Sequence, residues 1–262
     1  KTPSAYFHHF EQSSEVDLDF LELGNNYLTV KLSSDAPGID IRFCGNSVGQ
    51  VLPRVVQIST GYAWANATSL NINRIMHNGR LDAVDVTFSN EKGRSFPNEM
   101  HFHLDCRIFI HKSFPLWVGI QPISLKNADG HSWHFLDLEF VAQSNLMPKN
   151  PAERTMGFGE RWTPFYKPGG FLWNSGSNLG LGTTALNFAD YEFYFNVENN
   201  GAKCLLRHNV DSTLEPEQSV SDLDALSLFF PMENDSPPHF ARVVERIMRS
   251  VVDSGEVLET VK

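Results

Sequence analysis

The stretch EMHFHLDCRIFIH, residues 99–111, decides the fold, because every second position along it is apolar. The apolar positions are Met100, Phe102, Leu104, Cys106, Ile108 and Ile110. A period of two is typical of a strand with one buried face, whereas helical spacing would scatter these side chains around the whole circumference. The stretch therefore predicts a long β-strand that turns one face to a core.

Shorter alternating segments cover most of the remaining chain. Residues 20–23 and 27–32 flank the turn-forming triplet Gly-Asn-Asn and predict a hairpin. Further predicted strands are residues 40–43, 54–58, 83–88, 116–123, 133–141, 190–197, 203–207 and 225–230. About a dozen strands separated by short turns favour an all-β fold, a two-sheet antiparallel β-sandwich.

Two segments depart from this alternation. Residues 143–182 are rich in Gly, Pro, Asn and aromatic residues, and they predict long loops, where binding groups often lie. Residues 237–254 follow the capping residue Ser236 and carry one apolar stripe, which predicts a C-terminal amphipathic helix. We expect this helix to pack on the sheets rather than bind a partner, within a single domain spanning residues 1–262.

Charge and composition exclude several classes of partner. The formal net charge is −10 and no Lys/Arg cluster is present, so we expect neither a nucleic acid nor an anionic membrane surface as partner. No apolar run approaches the roughly 20 residues that span a bilayer. The chain starts at Lys1 rather than Met, so we expect processing or excision from a longer protein. A secreted or periplasmic location is favoured over the cytoplasm, and the oligomeric state stays open.

The polar side of the 99–111 strand is the first candidate site. His101, His103, Asp105 and Arg107 would project side by side, about 7 Å apart along the strand. Two imidazoles, a carboxylate and a guanidinium could move protons near neutral pH or bind hydroxyl and carboxylate groups. The alternative is an ordinary solvent-facing side of an antiparallel sheet.

The predicted loops supply a second set of candidates. Sugars are often recognised by an aromatic ring under their C–H surface and by planar polar groups at their hydroxyls. The aromatic candidates are Trp162, Tyr166 and Trp173, and the polar candidates are Glu160, Arg161 and Asn174. The alternative is that these aromatic residues only pack the loops onto a sheet and that Glu160 pairs with Arg161 at the surface.

A metal site is a weaker interpretation of the same strand. His101 and His103 would point the same way, as do paired ligands in cupin-like metal enzymes. Arg107 follows where a carboxylate ligand would be expected, and its positive charge would oppose a cation. We therefore predict no metal and no other cofactor, and keep a cupin-like enzyme as an alternative.

Two segments carry a family resemblance. LELGNNYLTVKL, residues 21–32, resembles the opening hairpin of galactose-mutarotase-like β-sandwich proteins, and RIFIHKSFPL, residues 107–116, resembles part of the sheet that carries their sugar site. The resemblance implies a carbohydrate-active domain of the kind found in aldose epimerases and polysaccharide lyases. Residues 119–125, where epimerases have a signature histidine, contain none, and this disfavours mutarotase chemistry.

The sequence thus predicts a carbohydrate-active domain, a lyase or an epimerase acting on a sugar or acidic polysaccharide. The predicted catalytic residues are His101, His103, Arg107 and Tyr166, and the predicted substrate-binding residues are Asp105, Glu160, Arg161, Trp162, Trp173 and Asn174. The alternative is a noncatalytic module, either a sugar-binding sandwich or a lipocalin-like barrel for an apolar ligand.

Overall fold

The fold is described from a computed structural model of the 262-residue chain. The structure describes residues 12–57, 63–79, 81–90, 95–96, 100–111, 117–143, 155–157, 170–174, 178–187, 191–198, 201–210, 212–221, 223, 225–234 and 236–253.

Two antiparallel sheets pack face to face. In the part of the chain described, the first sheet has ten strands: β1 (Gln12–Leu18), β7 (Ser69–His77), β8 (Leu81–Asn90), β10 (Phe102–His111), β11 (Val118–Asn127), β13 (Thr155–Gly157), β14 (Gly170–Asn174), β15 (Leu179–Asn187), β18 (Ser219–Ser221) and β19 (Ala225–Met232). Their spatial order is β1-β7-β8-β10-β11-β19-β15-β14-β13, and β18 also pairs with β11. The long strand predicted from the sequence therefore lies inside this sheet, between β8 and β11.

The second sheet has nine strands among the described residues. They are β2 (Phe20–Gly24), β3 (Leu28–Ser33), β4 (Ala36–Phe43), β5 (Asn46–Gln57), β6 (Ala63–Asn66), β9 (Ser95–Phe96), β12 (Leu136–Gln143), β16 (Tyr191–Glu198) and β17 (Gly201–Asn209). The main path is β16-β17-β12-β5-β4-β3-β2, with β6 and β9 continuing from β5. Both sheets are open, so the prediction of a two-sheet sandwich is confirmed and the lipocalin-like barrel is wrong.

The main core lies between the two sheets. The six apolar residues that alternate through residues 100–110 all belong to it, and each is at most 1% exposed. They face apolar side chains of the second sheet such as Val30, Ile41, Leu138 and Phe140. Burial of each such side chain contributes roughly 1.5–3 kcal/mol, so this alternation fixes which face of β10 is turned inward.

A second, smaller core lies on the outer face of the ten-stranded sheet. Helix α1 (Pro237–Asp253) covers it, and the aromatic rings of Phe171 and Phe230 lie 5.6 and 5.8 Å from that of Phe240. Val244 and Ile247, one and two turns further along the helix, are also buried there. The predicted helix is thus observed, and it packs on the sheet as expected.

Several sequence predictions meet a different local structure. Residues 69–77, for which the sequence pattern predicts no strand, form β7, whose inward side is apolar at Leu70 and Ile72 while its polar residues face outward. Within residues 143–182, predicted as long loops, the structure describes strands β13 and β14 and the start of β15. Short strands with Gly at several positions lack a clean alternation, and this explains why the sequence pattern does not reveal them.

Gly182 allows Phe230 to lie flat under α1, because any Cβ at Gly182 would overlap the Phe230 ring. We expect Gly182→Ala to displace this fully buried ring and lower the free energy of unfolding in urea by about 1–3 kcal/mol. Gly79→Ala is the matched control, since a Cβ there meets nothing within 4 Å. It should change the unfolding free energy by no more than about 0.5 kcal/mol, and equal effects of the two variants would refute this packing.

Candidate functional site

The polar side of β10 faces away from the main core, as the alternation predicts. His101, His103, Asp105 and Arg107 are all partly exposed, while their apolar neighbours in sequence are buried. His101 immediately precedes the strand, and the other three lie within it. The next outward residue, Phe109, is buried in the second core beneath α1. The outer face of β10 therefore changes from polar to apolar between Arg107 and Phe109.

Arg107 is held by a carboxylate on the neighbouring strand. Its Nε and Nη2 donate to Oδ1 and Oδ2 of Asp85 at 2.6 and 2.8 Å, and the antiparallel register places the two residues directly opposite. Only 23% of the Arg107 side chain and 17% of the Asp85 side chain are exposed. A paired, bidentate arrangement of this kind is strong and directional, so the positive charge of Arg107 is already compensated inside the protein.

Asp105 accepts hydrogen bonds from hydroxyls on both sides. Thr87 Oγ1 on β8 and Ser124 Oγ on β11 each donate to one of its carboxylate oxygens at 2.6 Å. Asn73 Nδ2 on β7 donates to Thr87 Oγ1 at 2.8 Å. Each hydroxyl has a single hydrogen, and in both residues this hydrogen is directed at Asp105. The chain of hydrogen bonds thus fixes the direction of every donor across four strands, β7, β8, β10 and β11.

A β-bulge makes the Ser124 contact possible. Asp105 pairs with Ser124 but Cys106 pairs with Pro122, so Ile123 is the extra residue on β11. Pro122 lacks an N–H to donate, and a bulge is where a sheet tolerates it. The extra residue turns the Ser124 side chain to the outer face beside Asp105.

His103 lies opposite Ser89 and Lys126 in the sheet register. Lys126 Nζ lies 2.5 Å from Oε2 of Glu217, in the turn before β18. The hydrogen bond from Lys126 and its positive charge lower the pKa of Glu217, and His103 adds a smaller effect in the same direction. Lys126 and Glu217 thus balance one another beside His103.

His101 is fixed by the nearly buried Asp129. The ring Nδ1 of His101 lies 3.0 Å from Asp129 Oδ1, and the backbone N–H of His101 donates to Asp129 Oδ2 at 3.0 Å. The indole Nε1 of the buried Trp133 donates to the same Oδ2 at 3.1 Å. His101 therefore belongs to a structural hydrogen-bond network as well as to the polar side of β10.

Two segments cross the end of the sandwich side by side, and we call them the end segments. They are residues 128–135, between β11 and β12, and residues 212–218, between β17 and β18. Trp133 and Leu214 exchange backbone hydrogen bonds of 2.9 and 3.0 Å. The buried Asn127 donates through Nδ2 to the carbonyls of His131 and Leu214, both at 2.9 Å.

The end segments carry two exposed polar pairs, and the first of them is followed directly in the chain by an exposed aromatic residue, Phe135. His134 Nδ1 lies 3.3 Å from Thr213 Oγ1, and Ser132 Oγ donates to the carboxylate of Glu215. Phe135 is 62% exposed and has a backbone φ of 52°. A left-handed conformation costs a residue with a Cβ roughly 1–2 kcal/mol, and such strain gathers at binding sites.

The sequence analysis did not single out Phe135, and it assigned residues 133–141 to a strand. The structure begins β12 only at Leu136. No sequence signal indicates a positive φ at a phenylalanine. The exposed ring could be found only from coordinates.

The loop candidates lie elsewhere or outside the described residues. Trp173 and Asn174 belong to β14, which is four strands from β10 in the sheet order. At about 4.8 Å per strand, that is roughly 19 Å across the sheet. The remaining four, Glu160, Arg161, Trp162 and Tyr166, lie outside the described residues, and their roles stay predictions.

A charged pair that the sequence analysis missed lies on the outer face of the nine-stranded sheet. Arg54 Nε donates to Glu139 Oε2 at 2.6 Å, and Glu139 is fully buried. The Arg54 guanidinium lies over the Trp64 ring, 5.2 Å from its centroid. The pair is cross-strand, since β5 and β12 place Arg54 opposite Glu139, and its stacked geometry accounts for it structurally.

Among the described residues, no group of three or more His, Cys, Asp and Glu side chains is arranged to hold a metal ion. Burial, together with the charges of Asp105 and Asp85, raises the pKa of the Cys106 thiol well above its ordinary value. Cys106 is therefore a core residue and a poor nucleophile.

No described helix combines the length and the apolar character needed to cross a bilayer.

Comparison with known proteins assigns no family to the chain. No protein-family model and no curated protein matches it. Among solved structures it is similar to ligand-free alpha-N-acetylgalactosaminidase NagBb from Bifidobacterium bifidum, with a TM-score of 0.47 and 11% identity, covering 90% of this chain and 39% of that one. The chain thus spans about two-fifths of that enzyme. Likeness at this TM-score carries no argument about activity, and the resemblance to galactose-mutarotase-like proteins stays a prediction.

The role of Asp129 can be tested by removing its carboxylate. We expect Asp129→Ala to lower the free energy of unfolding in urea by about 2–4 kcal/mol, because the Trp133 indole and the His101 amide lose their acceptor. Exchange of the Trp133 indole proton should accelerate with it. Asp17→Ala, at an exposed acid in β1, is the control and should stay within about 0.5 kcal/mol. An unchanged indole exchange rate would refute the network.

The Lys126–Glu217 pair predicts a change in pKa. Lys126→Gln should raise the pKa of Glu217 towards its ordinary value. The measurement is a carbon-13 NMR titration of the Glu217 carboxyl group. Because folding lowers this pKa, the pair stabilises the fold above the unfolded carboxyl pKa, and this contribution is lost as the pH falls through the lowered value. Lys31→Gln removes a separate pair with Glu22 and should leave Glu217 unchanged. If the pKa of Glu217 is the same in Lys126→Gln as in the wild type, the contact between the two residues is contradicted.

Proposed function

We propose that this chain is a noncatalytic carbohydrate-binding β-sandwich that contacts neutral sugars on the outer face of its ten-stranded sheet. We call this face the polar surface, and it consists of Thr87, His103, Asp105, Arg107 and Ser124. The observation that carries the proposal is the hydrogen-bond network that fixes Asp105 between two hydroxyls and Arg107 against Asp85.

The network favours a ligand with many hydroxyl groups. Because Thr87 and Ser124 direct their hydrogens at Asp105, the lone pairs of Ser124 Oγ remain as acceptors for a ligand hydroxyl. Donors and acceptors held in place before binding lose little conformational entropy when a ligand arrives. A half-buried array of alternating donors and acceptors matches the alternating hydroxyls of a pyranose.

The charge balance favours neutral sugars over uronates. Asp85 compensates Arg107, and Glu217 compensates Lys126. Asp105 then leaves the surface with an excess negative charge, which would repel a carboxylated polysaccharide. The whole chain, at a formal net charge of −10, would oppose an anionic ligand as well.

The lyase and epimerase interpretations are supported less well than binding. A lyase needs a cation to offset the uronate charge, and Arg107 could serve only after leaving Asp85. Asp129 holds Nδ1 of His101 and leaves Nε2 open to act as a base, so it is the compensated charge of Arg107 that disfavours a lyase. Among the described residues, none holds the His103 ring by a hydrogen bond or an ion pair, and we assign His103 to ligand binding.

A direct test measures binding of lactose, cellobiose, mannobiose and chitobiose by isothermal titration calorimetry, with larger neutral glycans on an array. His103→Ala and Ser124→Ala should each weaken the binding of the best ligand by about tenfold, as expected for groups that contact it. His239→Ala, on helix α1, is the matched control and should leave the affinity unchanged.

Two outcomes would overturn the proposal. The first is a folded chain that binds no neutral glycan on either platform. The second is turnover of a uronic polysaccharide, seen as an unsaturated product in the ultraviolet, which would restore the lyase interpretation.

A further inference from the structure

We infer that Phe135 is an aromatic stacking platform for a sugar ring and forms a second contact site at the end of the sandwich. This inference rests on the proposed function, and it adds a site that the polar surface does not contain. The observations behind it are the exposure of the ring, its strained backbone, and the exposed polar pairs on the same end segments.

The ring is presented to solvent at a cost. Phe135 has a φ of 52°, in the region that favours glycine, and 62% of the residue is exposed. An exposed ring gains little from burial in the fold, so packing does not compensate for this backbone conformation. A bulky residue with a positive φ persists where the surrounding structure imposes it.

The neighbouring segments hold Phe135 in this backbone conformation. The preceding residues are tied down by Trp133, whose backbone pairs with Leu214 and whose indole donates to Asp129. The following residue, Leu136, begins β12 and accepts a hydrogen bond from the amide of Val210 at 3.0 Å. Phe135 thus connects two anchored segments, which hold its backbone in place before any ligand binds.

The polar groups near Phe135 fit an amphipathic ligand. His134 is exposed and lies 3.3 Å from the exposed Thr213 hydroxyl, while Ser132 and Glu215 form a second exposed pair on the same end segments. A sugar offers a C–H face for an aromatic ring and hydroxyls at its edge. One aromatic ring beside imidazole, hydroxyl and carboxylate groups provides for both.

A protein partner fits this surface less well. A stable protein interface buries about 800 Å² on each partner and has several apolar residues at its centre. The other exposed large hydrophobic residues among those described are Leu18, Phe20 and Tyr27. All three lie in or between β1, β2 and β3, whereas Phe135 lies at the start of β12. A single isolated ring matches a small ligand.

The end segments also connect to the polar surface. Asp129, in the first end segment, holds His101, and Glu217, in the second, lies close enough to His103 for the imidazole to influence its pKa. An oligosaccharide bound along the polar surface would therefore reach the end segments where the polar surface ends at His103, next to His101. We assign Phe135 to the ring of a sugar at this end.

The test uses the full chain and replaces the ring while keeping the backbone conformation. Asn tolerates a positive φ, so Phe135→Asn should fold and have a thermal midpoint unchanged or raised by about 2 °C. Its affinity for the best ligand among lactose, cellobiose, mannobiose and chitobiose should fall by about tenfold. Phe135→Tyr keeps a ring and should retain the wild-type affinity.

The matched control is Tyr27→Asn, which removes another aromatic side chain from a residue that is 60% exposed. It should bind like the wild type. Stacking also has a spectroscopic signature: the C–H protons of the bound sugar should shift upfield in the wild type and not in Phe135→Asn.

The outcomes separate this inference from the proposed function. If the wild type binds none of the glycans, both fail. If His103→Ala weakens binding but Phe135→Asn does not, only the stacking platform is overturned. If Phe135→Asn weakens binding but His103→Ala does not, the platform stands and the polar surface falls. If Phe135→Asn instead dissociates an oligomer in light scattering, the ring is a contact between copies of the chain and the inference is overturned.

Discussion

The change from polar to apolar on the outer face of β10, between Arg107 and Phe109, is the constraint on which the rest of the structure depends. The inward residues of this strand fix its register, because a slip of one position would turn Asp105 towards the main core. An unpaired carboxylate in that environment would cost several kcal/mol. With the register fixed, Phe109 must be covered, and α1 covers it. The remaining outward residues of β10 form a polar face together with residues of β8 and β11.

Sequence periodicity predicts the sandwich, β10 and the C-terminal helix because each of these depends on one continuous pattern. The partners of the polar residues do not follow from such a pattern. Asp85 and Thr87 meet β10 through the register with β8, and Ser124 does so only because Ile123 is bulged out of β11. The sequence therefore identified the polar face but showed its Arg and Asp as available, whereas the neighbouring strands already engage them.

The end of the sandwich was harder to predict for a different reason. The turn at residues 127–130 is readable from its Asn, Asp and Gly. Its function as an anchor is not, since Asn127 reaches the carbonyl of Leu214, 87 residues away along the chain. Asp129 joins the nearby Trp133 to His101, which lies 28 residues before Asp129 in the chain. Contacts of this kind depend on which segments the topology brings together, so local sequence composition does not predict them.

Two of the buried polar networks among the described residues have different structural explanations. Arg54 and Glu139 lie opposite one another in regular strands, and the stacking of Arg54 on Trp64 completes a satisfied pair without backbone strain. Asn127 and Asp129, by contrast, anchor segments that lead to Phe135, where local preference is violated and no burial compensates. Proteins tend to break local rules where function requires it. By that criterion the strained backbone at Phe135, rather than the buried ion pair, is one place where the fold departs from what stability alone would select.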